Sequence, residues 1–257
     1  MKYKAVSTAI TKYWSSIPIE PNTTPSLHAI LSQGASRKAV SAIYSTLLTE
    51  HTHSLNTLKE KWEDDLSAPL SETQWAQAKA QIKVVSRNMR LKFTQLNYLH
   101  RTYLTPHRLS KIYTTANATC PRCNQDTADF IHMVWQCPVI ANAWKIILNN
   151  ITDIIEADIP DTPESCLLGI RHTNKHTKHR NKFTDLALVL FKRQIAMNWK
   201  ASKAPELKVW LRILLKWAIA EVKAMKEATG RECNPEGKIL WDSYIQRLTI
   251  KNDIRPP

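Results

Sequence analysis

The chain has 257 residues, enough to bury a core, and 43% of them are hydrophobic, which is too many for a disordered protein. Only 4 residues are glycine, so tight hairpins and phosphate-binding glycine loops are disfavoured and an all-α fold is predicted. The net charge of +14 favours polyanionic partners. The sequence shows neither a signal-peptide pattern nor a membrane-spanning stretch. We therefore expect an intracellular protein, nuclear or cytoplasmic, that is neither secreted nor held in a membrane.

The N-terminal part predicts a connection followed by helices. Residues 1–36 contain three prolines and many Ser and Thr, so an extended connection is expected there. Apolar side chains at helical spacing predict helices over residues 37–48 and around 55–66. A capping box at Ser71 begins the next helix, and Thr105 followed by proline begins a short one.

The remaining chain predicts a helical bundle in two groups. A basic helical domain over residues 37–155 contains an embedded zinc knuckle and ends with an apolar helix from Ile140 to Ile155. Residues 156–182 form a polar, basic segment, interpreted as a loop and domain boundary. A C-terminal helical group is expected over residues 183–257, with helices at about Phe183–Lys200, from Pro205 to Gly230, and from Pro235 to about Thr249.

Four residues with zinc-binding side chains follow the spacing C-x2-C-x8-H-x4-C: Cys120, Cys123, His132 and Cys137. A two-residue gap lets both thiolates of a knuckle turn reach one ion, and Asp129 is expected to cap a short helix that carries His132. Four protein ligands leave no position for an activated water, so the expected Zn²⁺ is structural. The alternative is three reduced core cysteines beside an unrelated histidine, which would leave the spacing unexplained. Cys166 stands alone and is interpreted as a small apolar side chain.

The interval from Thr73 to Gln125 contains no Asp or Glu but nine Lys and Arg residues. Unpaired cations on a helix are typical of phosphate-binding surfaces, and a solvated charged face is the alternative. The predicted nucleic-acid contacts are Lys83, Arg87, Arg90, Arg101, Arg108, Lys111 and Arg122.

On a helical projection, Lys83, Arg87, Arg90 and Arg101 form a stripe. The opposite, apolar face contains Val85, Met89, Phe93, Leu96, His100 and Tyr103. A helix break at Ser86–Asn88 would split the stripe in two. Four aromatic residues are candidates either for stacking on unpaired bases or for the core: Tyr98, Tyr103, Tyr113 and Trp135.

Two runs carry a family resemblance, RLKFTQLNYLHRTYLTPHRLSKIY and CPRCNQDTADFIHMVWQCPVIANAWKII. Together they resemble the region that follows the polymerase thumb in reverse transcriptases of non-LTR retrotransposons (long interspersed elements), which carries a Cys-Cys-His-Cys motif. An upstream pattern of Trp62, Asp65, Leu66 and Trp75 fits too, so the resemblance covers about residues 38–155. It implies the zinc ligands Cys120, Cys123, His132 and Cys137.

The resemblance also implies RNA and/or single-stranded DNA as partners, during target-primed reverse transcription. The sequence contains neither the Tyr/Phe-Ala-Asp-Asp polymerase motif nor an endonuclease set, and Asp64-Asp65 is interpreted as part of an exposed helix face. We therefore expect no enzymatic activity, no small-molecule substrate, and a truncated reading frame that begins at an internal Met. The alternative function is a zinc-stabilised basic helical adaptor that binds an acidic protein partner.

Overall fold

The computed structural model describes residues 43–44, 53–125, 127–171, 178–229 and 235–253. Ile43 and Tyr44 are helical, within the helix predicted over residues 37–48. The connection predicted over residues 1–36 lies outside the described residues.

The chain divides into two compact units, Met1–Thr57 and Leu58–Pro257. The described residues contain helices and no strand, which confirms the all-α prediction. The helices are α1 His53–Leu66, α2 Glu72–Val84, α3 Met89–Leu99, α4 Pro106–Ile112, α5 Pro138–Ile155, α6 Lys178–Met197, α7 Leu207–Thr229 and α8 Pro235–Asp253. Two π-helical turns lie between them, His132–Gln136 and Glu164–Leu168. No helix among the described residues combines the length and apolar character needed to cross a lipid bilayer.

The chain turns sharply between α2 and α3. The hydroxyl of Ser86 donates a hydrogen bond to the buried carboxylate of Glu221 on α7, and the backbone N–H of Arg87 donates to the same carboxylate (3.3 Å). The side chain of Asn88 then caps α3 by accepting from the backbone N–H of Arg90 (2.9 Å). These hydrogen bonds stabilise the interruption between α2 and α3, which lies where the sequence suggested a helix break, at Ser86–Asn88.

The break changes which face of α3 is buried. This helix buries Leu91, Thr94, Gln95, Tyr98 and Leu99. Met89 and Phe93, which the helical projection placed on the apolar face, are instead 73% and 61% exposed. That prediction was wrong because it carried the helical phase of α2 through the turn, where the phase restarts.

A single core includes helices from both of the predicted groups. The apolar face predicted for α5 is buried, with Ile140, Trp144, Ile147, Leu148, Ile151, Ile154 and Ile155 inside. The ring of Trp144 packs edge-on against Phe191 of α6, with centroids 4.6 Å apart. Helix α6 also contacts α3, α7 and α8, and therefore lies at the centre of the second unit.

The segment 156–182 differs from the predicted loop and domain boundary. The π-helical turn Glu164–Leu168 buries Cys166, Leu167 and Leu168, and α6 begins at Lys178, ahead of the predicted start at Phe183. Both flanks of the segment belong to the unit Leu58–Pro257. The polar composition of the segment concealed this short apolar turn, which is part of the core.

A buried polar network joins α3 to α6. The ammonium of Lys192, 2% exposed, donates to the side-chain oxygen of Gln95 and to the backbone oxygen of Leu167 (3.1 Å). The hydroxyl of Tyr98 donates to the backbone oxygen of Lys192 (2.8 Å). Burial lowers the pKa of Lys192 to about 8, although Asp185 nearby favours the charged form.

The depressed pKa of Lys192 predicts a specific dependence of stability on pH. Between the folded-state pKa of about 8 and the ordinary value of 10.5, folded Lys192 loses its proton while the unfolded chain keeps it. The unfolded state then binds more protons, so raising the pH stabilises the wild type relative to Lys192→Met, by about 3 kcal/mol over the interval. Urea unfolding of both proteins at each end of the interval measures this difference. A difference that does not change with pH contradicts the assignment.

Candidate metal centre and basic surface

Four side chains converge on one point: Cys120, Cys123, His132 and Cys137. Their ligand atoms all lie within 4.8 Å of one another. The sulfurs of Cys120 and Cys137 are 3.8 Å apart, and the sulfur of Cys123 lies 3.3 Å from Nε2 of His132. The structure thus brings together the four residues predicted as ligands, and this group could hold a metal ion.

The first two ligands lie on a compact knuckle. The backbone N–H of Cys120 donates to the oxygen of Gln125, and the N–H of Asn124 donates back to the oxygen of Cys120, both at 2.9 Å. Asn124 has a φ of 57°, a left-handed conformation that asparagine adopts more readily than most residues. The loop therefore folds back on itself, which brings the sulfurs of Cys120 and Cys123 close enough to bind the same ion.

The other two ligands are joined by the π-helical turn His132–Gln136. The backbone N–H of Cys137 donates to the oxygen of His132 (2.9 Å), the five-residue hydrogen bond that defines such a turn. The carboxylate of Asp129 accepts from the backbone N–H of His132 (2.9 Å), so the predicted cap is confirmed. Pro138 then occupies the first turn of α5.

The thiols differ in their electrostatic surroundings. Burial alone would raise the pKa of Cys120, but backbone N–H groups of Cys123 and Arg122 are directed at its sulfur, and the pKa lies below its ordinary value. Burial raises the pKa of Cys137 to about 11, against the opposing effect of N–H groups at the start of α5. A bound divalent cation would deprotonate such a thiol. Burial also lowers the pKa of His132, which favours the neutral imidazole that binds metals.

Arg122, one of the predicted nucleic-acid contacts, is an interior residue. It is 7% exposed, and its guanidinium donates to the backbone oxygens of Met133 (3.2 Å) and Asn198 (2.9 Å). It therefore fastens the knuckle to the π-helical turn and to the end of α6. Its predicted role as a nucleic-acid contact is corrected on this ground, because the guanidinium is buried and both of its terminal nitrogens donate to backbone oxygens inside the protein.

Arg101 is also held inward. Its guanidinium pairs with Asp65, donates to the backbone oxygen of Lys61 (3.0 Å), and lies over the rings of Trp62 and Phe130, 5.5 and 5.3 Å from their centroids. Asp65 is correspondingly not part of an exposed helix face as predicted, since its side chain is 15% exposed. The acid-free interval in the sequence therefore did not ensure that Arg101 is unpaired.

The remaining predicted contacts are exposed, but they lie in different places. Arg108 and Lys111 line a cleft of about 440 Å³ that also contains Asp64, Asp65 and Asp129, so its charges are mixed. Lys83 and Arg87 line a second cleft, of about 650 Å³, and Arg90 lines a third. The predicted stripe is thus divided among separate surfaces.

The cleft of about 650 Å³, which we call the basic cleft, lies between the α2–α3 turn and the start of α6. Among the described residues, five cationic side chains line it: Lys83, Arg87, Lys92, Lys178 and Lys182. The same part of the chain contributes one carboxylate, that of Asp185, which is buried and paired with Arg171. The sequence did not group these residues, because Lys178 and Lys182 belong to the run interpreted as an exposed loop.

The aromatic residues considered for stacking on bases differ in exposure. Tyr98 is fully buried and so cannot stack on a base, whereas Tyr113 is 59% exposed. Trp135 packs on Trp144 with centroids 5.3 Å apart.

No protein family model matches the chain.

The four-ligand group predicts a metal ion that stabilises the fold. Cys123→Ser should abolish metal binding and lower the thermal midpoint, because binding energy at a closed site contributes to folding. Cys123 is only partly buried, so its loss should disturb the packing little. Metal content by mass spectrometry and a melting curve are the measurements.

Cys166→Ala is the matched control. Cys166 is a buried thiol outside the group and should lose packing energy while the protein keeps its metal. Natively purified protein without metal, whose melting curve is unchanged by a chelator, would contradict the prediction.

Proposed function

We propose that this chain is a non-catalytic, zinc-containing, intracellular domain that binds RNA and/or single-stranded DNA through the basic cleft. In this proposal it is the C-terminal segment of a non-LTR retrotransposon reverse transcriptase, as the sequence resemblance implies. The observation that supports the binding function is the convergence on one cleft of five cations, four from α2, α3 and α6 and one, Arg87, from the α2–α3 turn.

Zinc is the metal that suits the ligand set. Three thiolates and one imidazole are soft and borderline ligands, and Zn²⁺ accepts them in tetrahedral geometry. Two thiolates at ~2.3 Å from a tetrahedral ion lie ~3.8 Å apart. The sulfurs of Cys120 and Cys137 are 3.8 Å apart. Because four protein ligands close the coordination shell, the role proposed for the ion is structural.

The charge of the cleft supports a phosphate ligand. Within the described residues, Lys83, Lys92 and Lys178 form no ion pair, and the one carboxylate of the cleft is neutralised by Arg171. A row of ammonium groups binds successive phosphates as point charges and releases the counterions of the strand. Such contacts give affinity for nucleic acid without reading its sequence.

Salt dependence of binding tests the proposal. Each phosphate contact lowers log affinity for a single strand by about 0.7 per log unit of salt. Replacing Lys83, Lys92 and Lys178 with Ala should therefore reduce the slope by about 2 and weaken binding to all sequences alike. Fluorescence anisotropy with single-stranded RNA and DNA at several salt concentrations measures both quantities.

A charge-matched control uses three exposed lysines that do not line the cleft, Lys145, Lys208 and Lys216. Their replacement with Ala should change the slope much less. Equal losses in both triple variants would show diffuse attraction to a protein of net charge +14 and would refute a defined cleft. Binding of polyglutamate in preference to RNA would favour the adaptor that binds an acidic protein.

We expect no polymerase activity from the purified chain. Two-metal phosphoryl transfer needs carboxylates that are available to hold Mg²⁺. Asp65, one member of the acidic pair, is instead engaged by Arg101. A primer-extension assay on a primed template should show no nucleotide incorporation, and incorporation that persists in the Asp64→Asn/Asp65→Asn variant would point to a different active site.

A further inference from the structure

A groove of about 490 Å³ lies between α3 and the C-terminal end of α6. The side chains that matter here are Met89, Arg90, Phe93, Tyr103, Arg193 and Met197. Three of the apolar ones are unusually exposed for their type, Met89 at 73%, Phe93 at 61% and Met197 at 65%. We call this surface the aromatic groove.

The aromatic groove has a firm floor. Tyr103 is stacked on Trp199, with ring centroids 5.1 Å apart and an angle of 28° between the planes. The indole N–H of Trp199 donates to the backbone oxygen of Leu104 (2.9 Å), which fixes the lower ring. Phe93 is on the neighbouring helix, one turn after Met89, so a flat ligand between them meets aromatic and thioether surfaces.

The rim of the groove is cationic. Arg90 and Arg193 both line it, and no carboxylate from the described part of the chain does. A purely hydrophobic partner would leave these guanidinium groups without a counter-charge, whereas an anionic ligand with flat apolar rings satisfies both the rim and the floor. Unpaired nucleotides have this chemistry, since their bases stack on aromatic rings and their phosphates bind arginine.

The groove also adjoins the basic cleft. Lys92 lines the cleft and Phe93 lines the groove, and these consecutive residues of α3 differ by about 100° around the helix. A strand that crosses the exposed side of α3 can thus have phosphates in the cleft and a base in the groove. In a duplex the bases are paired and stacked on each other, so their faces are not available to Phe93.

We propose that the aromatic groove is a stacking site for unpaired bases and gives this protein its preference for single strands over duplexes. The proposal rests on the proposed function, because it assumes that the basic cleft binds the same strand. It assigns to Phe93 a contact that the cleft lysines cannot make, with the base rather than the phosphate.

Three probes of equal length separate base contacts from phosphate contacts: an oligothymidine, an abasic oligonucleotide and a duplex. Phe93→Ala should weaken binding of the oligothymidine about fivefold or more, the effect of losing one stacked base. It should leave binding of the abasic strand and the duplex unchanged, and should not alter the salt slope. Phe93→Tyr keeps an aromatic face and should retain the affinity of the wild type.

Ile250→Ala is the matched control, because it removes a large apolar side chain of similar exposure (59%) that does not line the groove. It should bind all three probes as the wild type does. Since Phe93 is largely exposed, its loss should leave the melting curve unchanged, which distinguishes a lost contact from a lost fold.

Equal affinity for the oligothymidine and the abasic strand, together with no effect of Phe93→Ala, would overturn the groove while leaving the cleft proposal intact. Failure of all three probes to bind would overturn the proposed function as well. If Phe93→Ala weakened binding of a phenylalanine-containing acidic peptide but not of the oligothymidine, the groove would be a peptide site.

Discussion

Glu221 lies on α7 with its carboxylate buried against the turn between α2 and α3. It accepts hydrogen bonds from the hydroxyl of Ser86 and the backbone N–H of Arg87, two donors that would otherwise be left unsatisfied in the turn. Held in this way, the turn sets the rotation of α3 about its own axis. Every surface to which we assign a ligand depends on that rotation, since Lys92 lines the basic cleft and Phe93 the aromatic groove.

The other side of α3 is fixed by contacts of the same polar kind. Inside the protein, Gln95 accepts a hydrogen bond from the ammonium of Lys192, and the hydroxyl of Tyr98 donates to the backbone oxygen of Lys192. Burying the charged ammonium of Lys192 has an energetic cost. Its hydrogen bonds, however, form only at one relative position of α3 and α6, whereas apolar packing tolerates several. These contacts on both sides of α3 bury Leu91 and Thr94 and leave Met89 and Phe93 exposed.

Local signals in the sequence predicted local structure well. The capping box at Ser71 is present, the apolar face of α5 is buried, and the four candidate metal ligands lie together. Each of these depends on residues close in the chain or on a strict spacing. The sequence did not reveal pairings between distant segments, such as Arg101 with Asp65 or the convergence of Lys83 with Lys178.

The error on α3 has a physical cause of the same kind. A helical projection assumes a continuous helix, and the turn at Ser86–Asn88 is held by a carboxylate more than a hundred residues away. A projection that ran without interruption from α2 into α3 therefore placed Phe93 on the buried face, although it is 61% exposed. Similarly, an interval without acids predicts unpaired cations only if no acid arrives from elsewhere in the fold.

Arg122 connects the metal knuckle to the residues beneath the aromatic groove. Its guanidinium joins the turn around Cys120 and Cys123 to the backbone of Asn198, next to Trp199, whose ring supports Tyr103 in the groove. The backbone of Arg122 lies in the knuckle that an ion would order, and its guanidinium contacts the segment of Trp199, which a ligand in the groove would order. Coupling between two binding sites is reciprocal, so the factor by which an ion at the knuckle changes the affinity of the groove for a base equals the factor by which that base changes the affinity of the knuckle for the ion.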